Sequence, residues 1–274
     1  VKNLVKYVDI SLNSELSVLE AIHAECAIQN KTHGVVLMAD LGDLREGFWD
    51  KTELIKVAQH IEKDMPLLTL MGVGTNLGCY GSIKPTVEKM NELCQIAEDI
   101  EALIGRPLEI ISGGATSSYP LVLDGTMPKK INHLRIGEGI ILAYDLQDLW
   151  GLDMRELYQD VFTFKAEIVE IKDKPTHPVG EIFMDGFGYK PTYEDRGIRK
   201  RAILATGKLD YAINDKIFPK VKGIEVIGSS SDHTIIDIED CKIPLKIGDI
   251  IEFDVSYPSL MYLTNSRYVN IKLV

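Results

Sequence analysis

The sequence predicts an α/β protein: β/α units of the (β/α)8, TIM-type barrel, followed by a C-terminal all-β domain. Three observations predict it. Over the first half of the chain, short apolar runs alternate with longer amphipathic stretches, the pattern of a parallel sheet covered by helices. After about residue 158 the pattern becomes short alternating β segments separated by Pro and Gly. Glycine-bearing turns follow the strand patterns of the first part, at the ends where barrels of this kind build their sites.

The strand patterns of the first part are residues 8–13, 34–40, 67–72, 108–112 and 133–137. Helical periodicity covers 16–29, 50–64, 84–105 and 118–123 between them. Residues 1–157 are therefore expected to form the barrel part and residues 158–274 the β domain, with strands over 162–171, 202–205, 224–227, 234–238 and 250–255. Parallel units in this number leave an unpaired edge and an apolar interior, whereas a closed barrel of this kind has eight strands. The expectation is that three further β/α units, on the order of 80–100 residues, precede Val1; a five-stranded open sheet is the alternative.

Composition removes several functions. With 274 residues and 45% hydrophobic content the chain can bury a sizeable core. A formal charge of −11 argues against nucleic acid or an anionic membrane surface as partner. The basic run at 196–201 is a local exception, read as a solvated segment or a local anion site. No stretch approaches the roughly 18 consecutive apolar residues of a membrane span. Cys26, Cys79, Cys94 and Cys241 lack the paired spacing of a zinc site or a disulfide framework, so reduced thiols in a cytoplasmic protein are expected.

Two loops carry most of the chemistry. Ser112-Gly-Gly-Ala-Thr-Ser-Ser118 places two glycines and several hydroxyls just before a helix, so that backbone N–H groups and side-chain donors can converge on an anion. Arg135-Ile-Gly-Glu-Gly139 follows the next strand. If three units precede Val1, these loops follow strands seven and eight, a common phosphate site of barrels. Singly, each is as readily a tight turn; together they favour a phosphorylated ligand.

On these residues the chain resembles the alanine racemases. Met38-Ala-Asp-Leu-Gly-Asp-Leu-Arg-Glu-Gly47 is similar to their Lys-x-Asp-Thr-Gly-Met-x-Arg-x-Gly stretch, and Leu134-Arg-Ile-Gly137 to their Arg-x-Gly phosphate loop. Gly228-Ser-Ser-Ser-Asp-His-Thr-Ile-Ile-Asp237 is similar to their β-domain motif, and the correspondence continues through Ile247-Gly-Asp249. Gly74-Thr-Asn-Leu-Gly-Cys-Tyr-Gly81 and Glu194-Asp-Arg-Gly-Ile-Arg-Lys-Arg201 look most like the branch that includes ornithine racemases.

The resemblance implies pyridoxal 5′-phosphate as cofactor and racemisation of a free amino acid by removal and return of the α-proton, with ornithine or another basic amino acid favoured and alanine the further candidate. It implies that Arg135 faces the pyridine nitrogen, that Thr116, Ser117, Gly137 and Glu138 hold the phosphate, Glu138 through its backbone N–H, and that Asn76 lies beside the ring. Arg45 matches the arginine near the cofactor's phenolic oxygen and the substrate carboxylate, where a bidentate guanidinium suits a planar anion; read alone, it is a loop arginine paired with Asp43 or Glu46. Asp232 matches an aspartate that a partner subunit contributes to the substrate entrance, so a homodimer with shared sites is implied.

The chain also departs from the family. The Schiff-base lysine has no counterpart at these strand ends, so it is expected upstream of Val1, and the 274 residues alone are expected to be inactive. Phe183, in Ile182-Phe-Met-Asp-Gly186, stands where the family has its tyrosine base and cannot exchange a proton. Asp185, Tyr189 and His233 are the candidates to replace it. Met38 stands in place of a lysine that in many relatives orients the arginine. Two rival classes remain: a non-enzymatic carrier of pyridoxal phosphate, against which the long β domain counts, and a metal-dependent barrel hydrolase or lyase using Asp40, Asp43, Glu46 and His233.

Overall fold

A near-continuous apolar strand needs cover on both faces, and the first part of the chain supplies it in the computed structural model, which describes residues 1–273. Strands β1 (Ile10–Asn13), β2 (His33–Met38), β3 (Leu68–Gly74) and β4 (Ile110–Ser112) form one parallel sheet in chain order. The intervening helices are α2 (Leu16–Gln29), α3 (Lys51–Asp64) and α4 (Val87–Ile104), preceded by α1 (Lys2–Tyr7). Val35, Leu37, Leu70, Val73 and Ile111 of the sheet share one core with Leu54 and Ile61 of α3 and Met90, Leu93 and Ile100 of α4.

The helix starts are set by local chemistry. Asp50 accepts the Thr52 N–H at 2.8 Å and opens α3. Helix α4 starts later than the periodicity alone suggests, because Pro85 has no N–H to donate and Thr86 provides the cap, accepting from Lys89 N.

The expected strand over 133–137 is corrected: it is reduced to one parallel bridge, between Ser112 and His133. The Asn132 side chain replaces part of the ladder, accepting from Ile111 N at 2.9 Å and donating to Glu109 O at 2.8 Å. Beyond His133 the chain bends at Gly137 into the short helix α6 (Glu138–Ile141); α5 (Tyr119–Leu123) precedes it.

Contacts divide the chain into Val1–Ile140 with Leu149–Leu152, and Ile141–Asp148 with Asp153–Val274. The second unit holds α7 (Tyr144–Asp148) and a six-stranded antiparallel sheet of order β7-β10-β5-β6-β9-β8. Its strands are β5 (Phe164–Pro175), β6 (Ile198–Leu204), β7 (Ile217–Pro219), β8 (Glu225–Ser229), β9 (Thr234–Asp237) and β10 (Ile250–Val255), with α8 (Lys208–Tyr211) after β6 and α9 (Tyr257–Leu263) last. Strand β5 alternates as a one-faced sheet should: Phe164, Ala166 and Ile168 are buried and the residues between them are exposed.

The basic run at 196–201 is also corrected. It is more than a solvated segment and not an open anion site, because most of it lies in β6 and three of its four charges, Arg196, Arg199 and Lys200, are matched within the unit, while Arg201 donates to the Thr176 carbonyl at 3.1 Å. Arg199 donates to Asp237 at 2.6 and 3.1 Å and to Asp240 at 2.6 Å. Arg196 meets Glu225 at 3.0 Å, and Lys200 meets Asp173 at 3.0 Å.

Candidate active site

The loops at the C-terminal ends of the parallel strands lie together. After β2, Asp40 Oδ1 accepts the N–H groups of Gly42 (2.8 Å) and Leu44 (3.1 Å), and Phe48 returns to bridge Ala39. Residues 40–47 thus close on themselves and present Arg45. Its Nη2 donates to Glu46 Oε1 at 2.7 Å and its Nε to Glu46 Oε2. This pairing raises the pKa of the guanidinium and lowers that of the Glu46 carboxyl.

After β3, the Thr75 hydroxyl donates to Ala39 O at 2.9 Å. Asn76 is buried, and its Nδ2 donates to Cys79 Sγ at 3.0 Å. Beyond Leu77, three consecutive N–H groups, of Gly78, Cys79 and Tyr80, all point at the Asp43 carboxylate. The carboxylates that a metal-dependent reading requires, Asp40, Asp43 and Glu46, are thus engaged with backbone amides and a guanidinium.

Arg135 crosses between strand ends, with Nη1 donating to Ser112 Oγ at 2.5 Å and Nη2 to Thr75 O at 2.9 Å. Ser112 Oγ also lies 2.9 Å from His133 Nδ1. Ser112 Oγ accepts from the guanidinium and keeps a second lone pair and its proton, so it either accepts from Nδ1–H or donates to the bare Nδ1 of a neutral imidazole. Burial, and then the Arg135 charge, lower the His133 pKa and favour the neutral imidazole.

The two glycine-bearing loops meet: Gly139 N donates to Thr116 Oγ1 at 3.1 Å, and Arg135 N to Gly114 O at 2.8 Å. Ser117 Oγ donates to Leu77 O at 2.8 Å, tying in the loop after β3. Glu138 is buried at the start of α6. A Cβ on Gly137 would meet nothing within 4 Å, so its loop borders open space. Ser118 is fully buried, and its Oγ has no hydrogen-bond partner among the described residues. The Ser117 hydroxyl and the Gly139 and Arg135 amides are spent in joining the loops, whereas the Thr116 hydroxyl proton and the Arg135 guanidinium beside them are donors of the kind that a phosphate ester with an aromatic nitrogen needs.

The remaining sequence-derived candidates lie in the second unit. Asp185 Oδ1 accepts from Phe187 N and Tyr189 N, each at 2.9 Å, and its own N–H donates to Tyr189 O at 2.8 Å. The amide bonds, Tyr189's first, hold the Asp185 pKa below the usual carboxylate range. Asp232 and His233 occupy the turn between β8 and β9, where His233 N donates to Ser230 Oγ at 3.1 Å. Lys208 was not foreseen from the sequence, yet it joins these two loops. Its backbone N–H donates to Ser230 O at 3.0 Å, and its ammonium sits 3.9 Å from the Phe187 ring centre. Thr75 and Ser112, the supports of Arg135, were visible in the sequence only as members of loop motifs, with no role given to either; Ser112 opens a glycine-rich turn.

Comparison with known proteins adds an independent line. The family description "Alanine racemase, N-terminal domain" matches residues 1–145. The ornithine racemase of Acetoanaerobium sticklandii is 42% identical over 274 residues, all of this chain and 76% of that protein. The lysine racemase of Thermotoga maritima is 38% identical over 265 residues, 97% of this chain and 72% of that protein. An alanine racemase of Clostridium difficile superposes with TM-score 0.62 at 17% identity, over 96% of this chain and 68% of that one. The alanine racemase of Bartonella henselae, described with covalently bound pyridoxal phosphate, gives TM-score 0.65 at 16% identity, over 99% and 75%. The fold is therefore that of the alanine racemases, a TIM-type barrel with a C-terminal β domain. Among the described residues, no helix is long and apolar enough to cross a membrane.

Proposed function

Because this chain belongs to the alanine racemase family, we propose that it racemises a free basic amino acid, ornithine or lysine in preference to alanine, with pyridoxal 5′-phosphate as cofactor. The 3.1 Å bond between Thr116 and Gly139, which draws two donor-rich loops together beside Arg135, is the observation that carries it. The names of the two most similar relatives reported above support the basic substrate class.

When bound, the cofactor supplies an electron sink for the carbanion left by loss of the α-proton. The protein's part is to bind and orient. Thr116, Ser117 and the amides of Gly137 and Glu138 hold the phosphate. Arg135, fixed by Ser112 and Thr75, sets a full positive charge at the ring nitrogen and keeps a proton from that atom. Asn76 lines the ring, and Arg45 receives the substrate carboxylate. Racemisation needs an acid/base atom on each face. Phe183 cannot serve, which leaves Asp185, Tyr189 Oη and His233 as the groups that move a proton on one face; the two amides on Asp185 Oδ1 make its carboxylate the weakest base of the three candidates. These residues, with Asp232, act in the site of a second copy in a homodimer. A cytoplasmic setting suits the four free thiols.

The test is racemisation of D- and L-ornithine, lysine and alanine by the natural protein with added cofactor, followed by chiral chromatography. Turnover of the two basic substrates at least tenfold faster than alanine is expected. Metal-dependent turnover of another substrate, with no racemisation of any of the three, would refute the reading. Tyr189→Phe and His233→Gln, assayed by deuterium uptake at Cα from each enantiomer separately, identify the proton carrier: its loss leaves exchange from one enantiomer only.

A further inference from the structure

Asp43 is among the few buried charged residues of the first unit, 2% exposed, and among the described residues no lysine or arginine hydrogen-bonds to it. Its partners are three consecutive backbone N–H groups 35–37 residues away: Gly78 at 3.0 Å and Cys79 at 3.2 Å on Oδ1, and Tyr80 at 3.0 Å on Oδ2. Burial alone would raise its pKa, but the amides of Tyr80, Cys79, Gly78 and Ile83 outweigh it and hold the carboxyl ionised well into acid. A buried carboxylate cradled by amides in this way is a fastener between two chain segments.

What it fastens is informative. On one side is the loop that presents Arg45, two residues along the chain. On the other is the turn that carries Asn76 and Cys79, which are themselves joined at 3.0 Å. The fit is close: a Cβ on Gly81 would stand 2.7 Å from the Asp43 carbonyl oxygen and 3.0 Å from its Cα. The same turn reaches the phosphate-side loop through Ser117 and Leu77, so a shift of the turn propagates to both sides of the pocket.

We propose that Asp43 is a positioning residue of this site: its carboxylate locks the turn bearing Asn76 and Cys79 against the loop bearing Arg45, and so sets the distance between the substrate-carboxylate group and the cofactor wall. The catalytic consequence rests on the racemase reading; the fastening itself does not.

The experiment therefore has two arms, with Asp43→Asn and Gly81→Ala made in the natural protein. Asparagine removes the charge and turns an NH2 group toward one of the amides. Alanine leaves the carboxylate intact but wedges the two segments apart at a glycine without positive φ. The first arm needs neither cofactor nor substrate: hydrogen exchange of the Gly78, Cys79 and Tyr80 amides, and the rate at which a thiol reagent modifies exposed Cys79. Loss of charge-assisted bonds should speed amide exchange on the order of tenfold to a hundredfold in Asp43→Asn, with faster thiol modification in both variants. The second arm is steady-state racemisation, where KM for the amino acid should rise about tenfold or more while kcat changes less.

Unchanged exchange and thiol rates overturn the fastening, whether or not the protein is a racemase. Faster exchange with unchanged KM and kcat overturns the positioning role. Faster exchange in a protein that racemises nothing before mutation upholds the fastening and overturns only the assignment of activity. Should Asp43→Asn fail to fold, Gly81→Ala decides by the same readings.

Discussion

The phosphate-loop assignment makes a prediction in which stability and binding part company at one atom. At Gly137 a Cβ would enter open space, with no protein atom within 4 Å, and the residue is not among those with positive φ. Gly137→Ala therefore meets no clash and no backbone strain. Reduced freedom of the unfolded chain stabilises it by about 0.4–1 kcal/mol. Losing glycine at the mouth of α6, where Ile140 N bonds the Gly137 carbonyl at 3.0 Å, costs on the order of 1 kcal/mol, because alanine is a far poorer cap than glycine. Net stability stays within about 1 kcal/mol of the parent, and Gly137→Val adds bulk to the same empty region. If that region is where the phosphate sits against the Gly137 and Glu138 amides, the side chain displaces it and removes at least one charge-assisted hydrogen bond. That bond is worth about 1.5–3 kcal/mol, or about 10- to 150-fold in Kd. Urea denaturation reports the first quantity and absorbance titration with pyridoxal phosphate the second. A valine variant that folds normally and binds the cofactor with parental Kd would falsify the phosphate assignment; a variant destabilised by more than about 2 kcal/mol would show that the space is not open.

Other outcomes follow from groups outside the pocket. Asp237, with its side chain 1% exposed, accepts from Arg199 and Arg196; Asp237→Asn should destabilise the second unit by about 1–3 kcal/mol in calorimetry, because charge-assisted bonds to a buried carboxylate are lost while Arg199 keeps Asp240 and Arg196 keeps Glu225. His33 is 2% exposed, and burial lowers its pKa against the pull of the Val8 carbonyl and Asp9. A depressed histidine leaves the unfolded chain binding more protons. Its contribution to stability is therefore full above about pH 6.5 and falls away as the pH drops from there toward the folded-state pKa. The parent should lose stability between pH 7 and 5 more steeply than His33→Gln, and parallel denaturation curves would contradict this.

The alternation of β5 and the apolar runs of β2 and β3 are legible in the sequence because one residue's neighbours on the chain decide its face. The start of α3 is nearly as plain, because Asp50 stands there as a cap; that of α4 is not, since the helical periodicity runs back to residue 84, ahead of the Pro85–Thr86 cap that sets it. The pairing of the Thr116 and Gly139 loops was also legible, since parallel β/α order places consecutive turns side by side. Asp43 was not. Its partners are backbone amides, which every residue owns, and they lie 35–37 positions away; no residue type marks them. The basic run at 196–201 shows the same limit from the other side. Its charges are visible, but its counter-charges at Asp237 and Asp240 become neighbours only through the β6–β9 pairing.

The Arg45–Glu46 pair bears on why a basic substrate suits this pocket. The two side chains are 47% and 35% exposed, and an ion pair so placed is worth only about 0.2–1 kcal/mol. If Arg45 receives the substrate α-carboxylate as proposed, the incoming group, bidentate on the same guanidinium, can therefore displace Glu46 at little cost. Displacement leaves an ionised carboxylate beside the bound substrate, with the Arg135 charge its other cationic neighbour. A substrate with a second ammonium group can compensate it; alanine cannot. Glu46→Gln should accordingly raise KM for ornithine severalfold while leaving KM for alanine unchanged or lower, since alanine no longer has to expel a carboxylate from Arg45. The comparison is internal to one variant, so a general loss of folding or cofactor would move both substrates together. Equal changes for the two amino acids would mean that Glu46 does no more than steady Arg45, and that selection of the basic side chain is made elsewhere.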